Sequence, residues 1–473
     1  MQTHWINNLV HPGQGDTLEV RNPATEQLLD TVPKGNADEA NAAVQAARAA
    51  FPGWSALAPA ERRSALIRAA QEIEKHTEAI AVLLTQEMGK TLAQSRAEVS
   101  GAADVVRQMA DLALHLRSGS QMARMGEVNF QQRFARGVAA CIVPWNYPVM
   151  VGVENAAANL AVGNTVVWKP SEKTPLSSRL IVELAFGHLP PGAVNVLLGD
   201  GLGAGDPLVR HPEVNLLVFV GSERTGRALG EICGRQLKKA VLELGGKDAL
   251  IVDETVDIEA AARLAASAAY ANTGQICTST ERLYIARSVF EPFVAALVRA
   301  SKLIRVGDGM LPDSAMGPIV DHIQLGIIDA QIQDAKQRGA AVHFGGVRQA
   351  GPGYFYPPTV LTGMPLNASV MVEETFGPVA PCVPFDDFDE ALALANATRY
   401  GLSAIVCTAS APRALKAVHV LKAGMVRINT MRGRSAGASS EPFGASGIGH
   451  GYGLEFLLEL TQQKSVYWRG EPE

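Results

Sequence analysis

The chain has 473 residues, 47% of them apolar, enough for two or three separately packed cores. A charged fraction of 19% and a formal net charge of −5 give it no general attraction for nucleic acid or an anionic membrane. It contains neither an apolar run of the ~20 residues that span a bilayer nor, at the amino terminus, the basic flank and apolar run of a signal peptide.

Residues 38–116 read as mostly helical, dominated by Ala, Leu, Glu, Gln and Arg, which lose little side-chain freedom in a helix. Pro52, Gly53 and Pro59 sit together there and mark one connection. The texture changes near Arg117, and residues 128–136 are strand-like with interleaved polar side chains. Strand and helix then alternate: strands at 138–143, 164–168, 194–198 and 216–220, helices at 153–160 and 177–186. Continuous Val/Ile/Leu strands in a β-α-β rhythm predict a parallel sheet covered on both faces. A second α/β series spans 248–429. Residues 463–468 form a strand with no local partner, which calls for pairing elsewhere, including with another subunit.

Five cysteines, Cys141, Cys233, Cys277, Cys382 and Cys407, are odd in number and scattered, with no pair at metal-finger spacing. That pattern predicts free thiols in a reducing, cytoplasmic setting and no metal site. Cys277, in Gly274-Gln275-Ile276-Cys277-Thr278, follows a helical stretch at 260–270 and has small neighbours that let a substrate approach. Free cysteine is also commonly just a small buried apolar residue. Glu243 lies in the apolar stretch 240–244, which ends in two glycines. Flanked by leucines, its carboxyl would be raised by desolvation and made a usable base, unless it points to solvent.

Further candidates sit where strands end. Asn146, between the prolines of Pro144-Trp145-Asn146-Tyr147-Pro148, could donate to a developing oxyanion, or belong to an ordinary turn. Lys169-Pro170-Ser171-Glu172 could bind ribose hydroxyls, or be a solvated turn. Gly221-Ser222 opens a helix whose N–H groups suit a pyrophosphate, or Ser222 is a simple cap. Gly199-Asp200-Gly201-Leu202-Gly203-Ala204 partly imitates a dinucleotide fingerprint, but its last glycine is misplaced and no acidic strand end follows; it reads as a glycine loop.

In their order along the chain these pieces, with Glu243-Leu244-Gly245-Gly246-Lys247, Gly274-Gln275-Ile276-Cys277 and Glu374-Thr375-Phe376-Gly377-Pro378, resemble the aldehyde dehydrogenase superfamily over about residues 20–467. The resemblance implies an α/β fold with two parallel-sheet domains and a small β oligomerisation arm. Residues 1–116 and 137–244 would bind the coenzyme, 245–445 would form the catalytic domain, and 117–136 with 446–473 the arm. It implies Cys277 as nucleophile, Glu243 as general base and Asn146 as oxyanion donor. Lys169 and Glu172 would hold the adenosine ribose, Gly221 and Ser222 the pyrophosphate, and Glu374 the nicotinamide ribose. Phe376 would pack near the nicotinamide, with Val143, Pro144 and Trp145 also against the coenzyme. NAD is the implied coenzyme, NADP being accepted by some relatives; a homodimer or homotetramer is the implied assembly.

Three departures stand out. Asn155 occupies a position where relatives often carry lysine. The stretch Pro442-Phe443-Gly444-Ala445-Ser446-Gly447 is shortened, and Gly449-His450-Gly451 replaces the usual Gly-Arg-Glu. The implied activity is oxidation of an aldehyde to a carboxylic acid through a Cys277 thioester. Arg432 and Arg434 lie where relatives line the substrate mouth and could favour a semialdehyde acid, or be solvated loop residues. A coenzyme A-acylating enzyme would lack Glu243, and a non-catalytic binding protein would have no need of Cys277, Glu243 and Asn146 together.

Overall fold

The computed structural model describes residues 3–116, 119–121, 126–431 and 437–469. Among them, two large sheets organise the chain. In the first, five parallel strands lie in the order Lys239–Glu243, Val214–Val220, Val138–Ile142, Thr165–Lys169, Val194–Val196. Antiparallel additions, Gly447–Ile448 at one end and the hairpin His4–Ile6/Leu9–His11 at the other, make eight strands. Chain order reverses at Val138–Ile142, with Thr165–Lys169 and Val214–Val220 as its neighbours. That places a ligand crevice at the carboxyl ends of these strands.

The second sheet has seven strands, Asp248–Val252, Thr280–Ala286, Ala341–Phe344, Thr359–Thr362, Val379–Phe385, Ser403–Cys407 and Met425–Ile428, parallel except for the edge strand Ala341–Phe344. The central strands of both sheets are buried along their whole length, as βαβ coverage requires.

Four helices, Ala37–Ala56, Pro59–Lys75, Thr77–Met88 and Leu92–Ala113, cover the first sheet: the last three share one core with it, and Ala40, Ala43, Val44 and Ala47 of the first pack into a second core with Val138, Ala140 and Ile142. Pro52 and Gly53 do not break the first of these, contrary to expectation. Trp54, 1% exposed, anchors its last turn by donating from Nε1 to Leu160 O at 3.1 Å, and the break falls at Leu57 and Ala58, with Pro59 opening the next helix.

The strand expected at 463–468 is Thr461–Arg469, and its partner lies in the same chain. It pairs antiparallel with Glu127–Ala135 from Thr461↔Ala135 to Arg469↔Glu127. Among the described residues from 446 on, only this part enters the small sheet. Gly447–Ile448 extends the first large sheet, and Phe456, Leu457 and Leu460 are buried in its core. Arg432 and Arg434 lie outside the described residues.

Candidate active site

A cavity of about 810 Å³ opens between the two sheets. Its walls bring together Cys277, Glu243 and Asn146 with Pro144, Trp145, Gly221, Ser222, Glu374 and Phe376. Val143, Lys169 and Glu172 are not in that wall.

Cys277 lies in the connection between the short turn Ala271–Gly274 and the strand Thr280–Ala286, and it is half-buried, whereas the other four cysteines are buried. Burial pushes the Cys141 thiol up to about 12 and raises those of Cys233, Cys382 and Cys407 as well. The loop before Cys277 is held in an uncommon shape. Asn272, Thr273 and Gly274 are consecutively left-handed, with φ of 49°, 61° and 71°. A Cβ at 274 would strike the carbonyl of Gly377, so this position requires glycine. Gln275 locks the turn by donating from Nε2 to Asn272 O at 3.2 Å and accepting at Oε1 from Val320 N at 2.9 Å. Strain of this kind persists only where the surroundings over-determine it.

Asn146 is 5% exposed and donates from Nδ2 to Gln275 O at 3.0 Å, which ties it to the cysteine loop. An amide nitrogen has two protons, so one remains to donate into the cavity. The Asn146 carbonyl accepts from Lys90 Nζ at 2.7 Å and from Asn272 Nδ2 at 3.3 Å. Lys90 is itself paired with Glu98 at 2.5 Å, both fully buried. Glu98 Oε1 also accepts from the N–H groups of Val149 and Met150, each at 3.1 Å. The helix Pro148–Ala161 therefore starts five residues before the expected 153: Pro148 needs no N–H partner at its first position, and a distant carboxylate caps the next two. Lys90 and Glu98 escaped the sequence reading. The available signal was a Lys and a Glu inside an apolar helical layer, where each needs a partner.

Glu243 is half-buried at the end of its strand, between Val220 and Gly447. Glu374 faces it across the cavity, accepting from Gly246 N at 3.1 Å. Burial, with the nearby Glu281 charge, pushes the Glu374 carboxyl up to about 8. Phe376, left-handed at φ 50°, makes an edge contact with Trp145 at 5.2 Å between centroids. Glu281 fixes this loop by accepting from Thr375 N and Phe376 N at 2.8 and 2.7 Å. Lys247 balances Glu281 at 2.7 Å. Glu281 was also missed, because it hides in a strand buried along its whole length.

The remaining candidates sit at strand ends of the first sheet. Lys169, 3% exposed, lies 3.8 Å from Glu172, whose side chain is 43% exposed. Ser222 caps the 13-residue helix Glu223–Arg235, accepting from Thr225 N at 3.4 Å. Gly205, directly after the glycine loop, lies beside the Lys169 side chain: a Cβ there would meet it at 3.5 Å. Asn155 is buried, and its Nδ2 has no hydrogen-bond partner among the described residues. Among these residues no cluster of potential metal ligands occurs, and no helix is long and apolar enough to cross a membrane.

A strand-end crevice with a capped helix start suits a dinucleotide, and a half-exposed thiol, a carboxylate and a side-chain amide share its cavity. The aldehyde dehydrogenase family model matches residues 10–466, and the chain belongs to that family. It is 36% identical over 458 residues to a succinate-semialdehyde dehydrogenase [NADP(+)] of Escherichia coli K12, covering 94% of each chain. The crystal structure of lactaldehyde dehydrogenase from Escherichia coli superposes with a TM-score of 0.96 at 34% identity, covering 99% of both chains. That of betaine aldehyde dehydrogenase from Staphylococcus aureus in complex with NAD+ gives 0.96 at 31% identity, covering 100% of this chain and 95% of the other. The protein is an NAD(P)-dependent enzyme that oxidises an aldehyde to a carboxylic acid.

Proposed function

We propose that Cys277 is the nucleophile, Asn146 the oxyanion donor and Glu243 the hydrolytic base of this oxidation. The observation that carries the reading is their convergence, from three separate stretches of chain, on one cavity shared with Glu374, Phe376 and the helix start at Ser222. The Cys277 thiolate attacks the aldehyde carbon, forming a C–S bond while the carbonyl electron pair moves to oxygen. Asn146 Nδ2 and the Cys277 backbone N–H hold that oxyanion. A bound nicotinamide supplies the acceptor for the aldehyde hydride. Glu243 then takes a proton from water, whose oxygen bonds to the thioester carbon as the C–S bond breaks and Cys277 is released as thiolate.

The first sheet is the coenzyme domain of this proposal and the second, with Cys277, the catalytic domain. The donor set suits a dinucleotide: Lys169 and Glu172 for the adenosine ribose, Gly221 and Ser222 for the pyrophosphate, Glu374 for the second ribose. Val143, Pro144, Trp145 and Phe376 are the apolar contacts of this reading, the last three of them lining the cavity. The preferred coenzyme is NAD, the location cytoplasmic, and the assembly a homodimer or homotetramer. A semialdehyde acid is the second reading of the substrate, favoured by the similarity to a succinate-semialdehyde dehydrogenase.

Cys277→Ala should reduce NADH formation from a panel of simple and acid-bearing aldehydes by at least ~10³-fold while NAD binding remains measurable. Glu243→Gln should release up to one equivalent of NADH per site and then stall with an acyl adduct visible by mass spectrometry, with or without coenzyme A. Substantial turnover in the first variant, or normal turnover in the second, defeats the assignment of that residue.

A further inference from the structure

Glu243 leaves its strand towards the return segment 449–452, and its carboxyl group comes to rest on Gly451. A Cβ built on Gly451 would fall inside the van der Waals volumes of Glu243 Oε1 and Cδ and 2.7 Å from Oε2; no other heavy atom is nearer. The glycines on either side serve the backbone, with φ of +87° at Gly449 and +84° at Gly453. Gly451 does not: its φ is outside the left-handed region, so any L residue fits the chain there. What the missing side chain leaves is room for one carboxylate. Gly451 is also one of the two positions at which Gly449-His450-Gly451 departs from the Gly-Arg-Glu of relatives.

We infer that Gly451 is a positioning residue for Glu243: it forms a notch that the carboxyl group fills, and so sets where the base rests relative to the Cys277 thioester. The inference rests on Glu243 being the hydrolytic base. The strand carrying Glu243 is paired on both edges, at Val220 and Gly447, and cannot move aside. In Gly451→Ala the new methyl and the carboxyl group cannot coexist, and the side chain of Glu243, being rotatable, is the part that yields. The cost then falls on the rotamer of the base and not on the fold. Carbonyl attack and hydride removal use Cys277 and Asn146, so they proceed; water attack on the thioester loses a correctly placed base.

The test is rapid-quench and steady-state kinetics of the full-length Gly451→Ala enzyme with NAD and a simple aldehyde. The expected result is a burst of NADH matching the wild-type amplitude, a steady-state kcat at least ~10-fold lower, and an acyl adduct on Cys277 in quenched samples. In the double variant with Glu243→Gln, Gly451→Ala should cause no further slowing. A wild-type kcat in Gly451→Ala overturns the inference. So does loss of the burst together with turnover, which would place the damage before the thioester or in the fold. Glu243→Gln, run alongside, separates the two ideas. If it stalls while Gly451→Ala does not, the base stands and the notch fails; if it turns over normally, the base assignment fails and takes the notch with it.

Discussion

Two carboxylates of this cavity, Glu374 and Glu243, and a third outside its wall, Glu172, differ by what surrounds them. Glu374 is enclosed beside Glu281, and burial pushes its carboxyl up to about 8. Glu243 is half-buried and wedged onto a glycine. Glu172 is 43% exposed, with the buried Lys169 ammonium 3.8 Å away. Burial pushes the Lys169 ammonium below the ordinary lysine range, opposed by the attraction of Glu172 and Asp200. A carboxylate in the position of Glu172 accepts from a ribose 2′-hydroxyl and repels a 2′-phosphate. The enzyme should therefore have a higher kcat/KM with NAD than with NADP, and Glu172→Gln should narrow that ratio by about 10-fold, roughly one close charge contact in a half-exposed site. Initial rates with both coenzymes decide it: a wild-type preference for NADP removes Glu172 from coenzyme selection.

At the scale of elements, buried acids on the amino-terminal helices hold the starts of helices in the coenzyme layer. Glu87 accepts from Leu176 N and Ser177 N at 2.8 and 2.9 Å at the start of Pro175–Ile181, and Glu98 does the same for Pro148–Ala161. Glu87 is pushed up to about 7 by burial, against the lowering effect of those hydrogen bonds. Lys90 joins the second cap to the Asn146 carbonyl, so one ion pair supports both a helix and a residue of the site. Lys90→Met leaves Glu98 buried without its cation, which should cost about 3–5 kcal/mol in urea unfolding and lower kcat by loosening Asn146. A loss under about 1 kcal/mol would mean that the pair is incidental to the fold. These caps explain what the sequence hid. Apolar runs such as 138–142 and 165–169 announce themselves, because a strand buried on both faces is locally apolar. The helix start at Pro148 depends on a carboxylate some 50 residues away, and no local pattern carries that. The cavity residues were legible through motif order, at Cys277, Glu243, Asn146 and Glu374. Their supports, Lys90, Glu98 and Glu281, were not, since a lone charge in an apolar stretch says that a partner exists without saying which.

Across the whole molecule, the unfinished feature is an edge. Thr461–Arg469 pairs on one side with Glu127–Ala135 and, among the described residues, has no strand on the other. It is nine residues long, exposed over most of its length, and carries Tyr467 and Trp468 at 74% and 64% exposure, with Val128 at 54% on the strand beside it. A long exposed edge bearing aromatic side chains is a template for another chain, and a monomer would be expected to blunt it. Lys464, the one cation before Arg469, lies 4.1 Å over the Phe134 ring instead of standing guard at the edge. We therefore predict that this strand joins copies of the chain. Removing residues 461–473 should leave the first sheet intact, because Phe456, Leu457 and Leu460 stay buried in its core. Light scattering should then give a mass near the 50.1 kDa of one chain, where the full-length protein gives a multiple of it. Trp468→Glu, in an otherwise complete chain, should weaken the assembly in the same direction. A truncated protein that keeps the full-length subunit number would place the interface elsewhere.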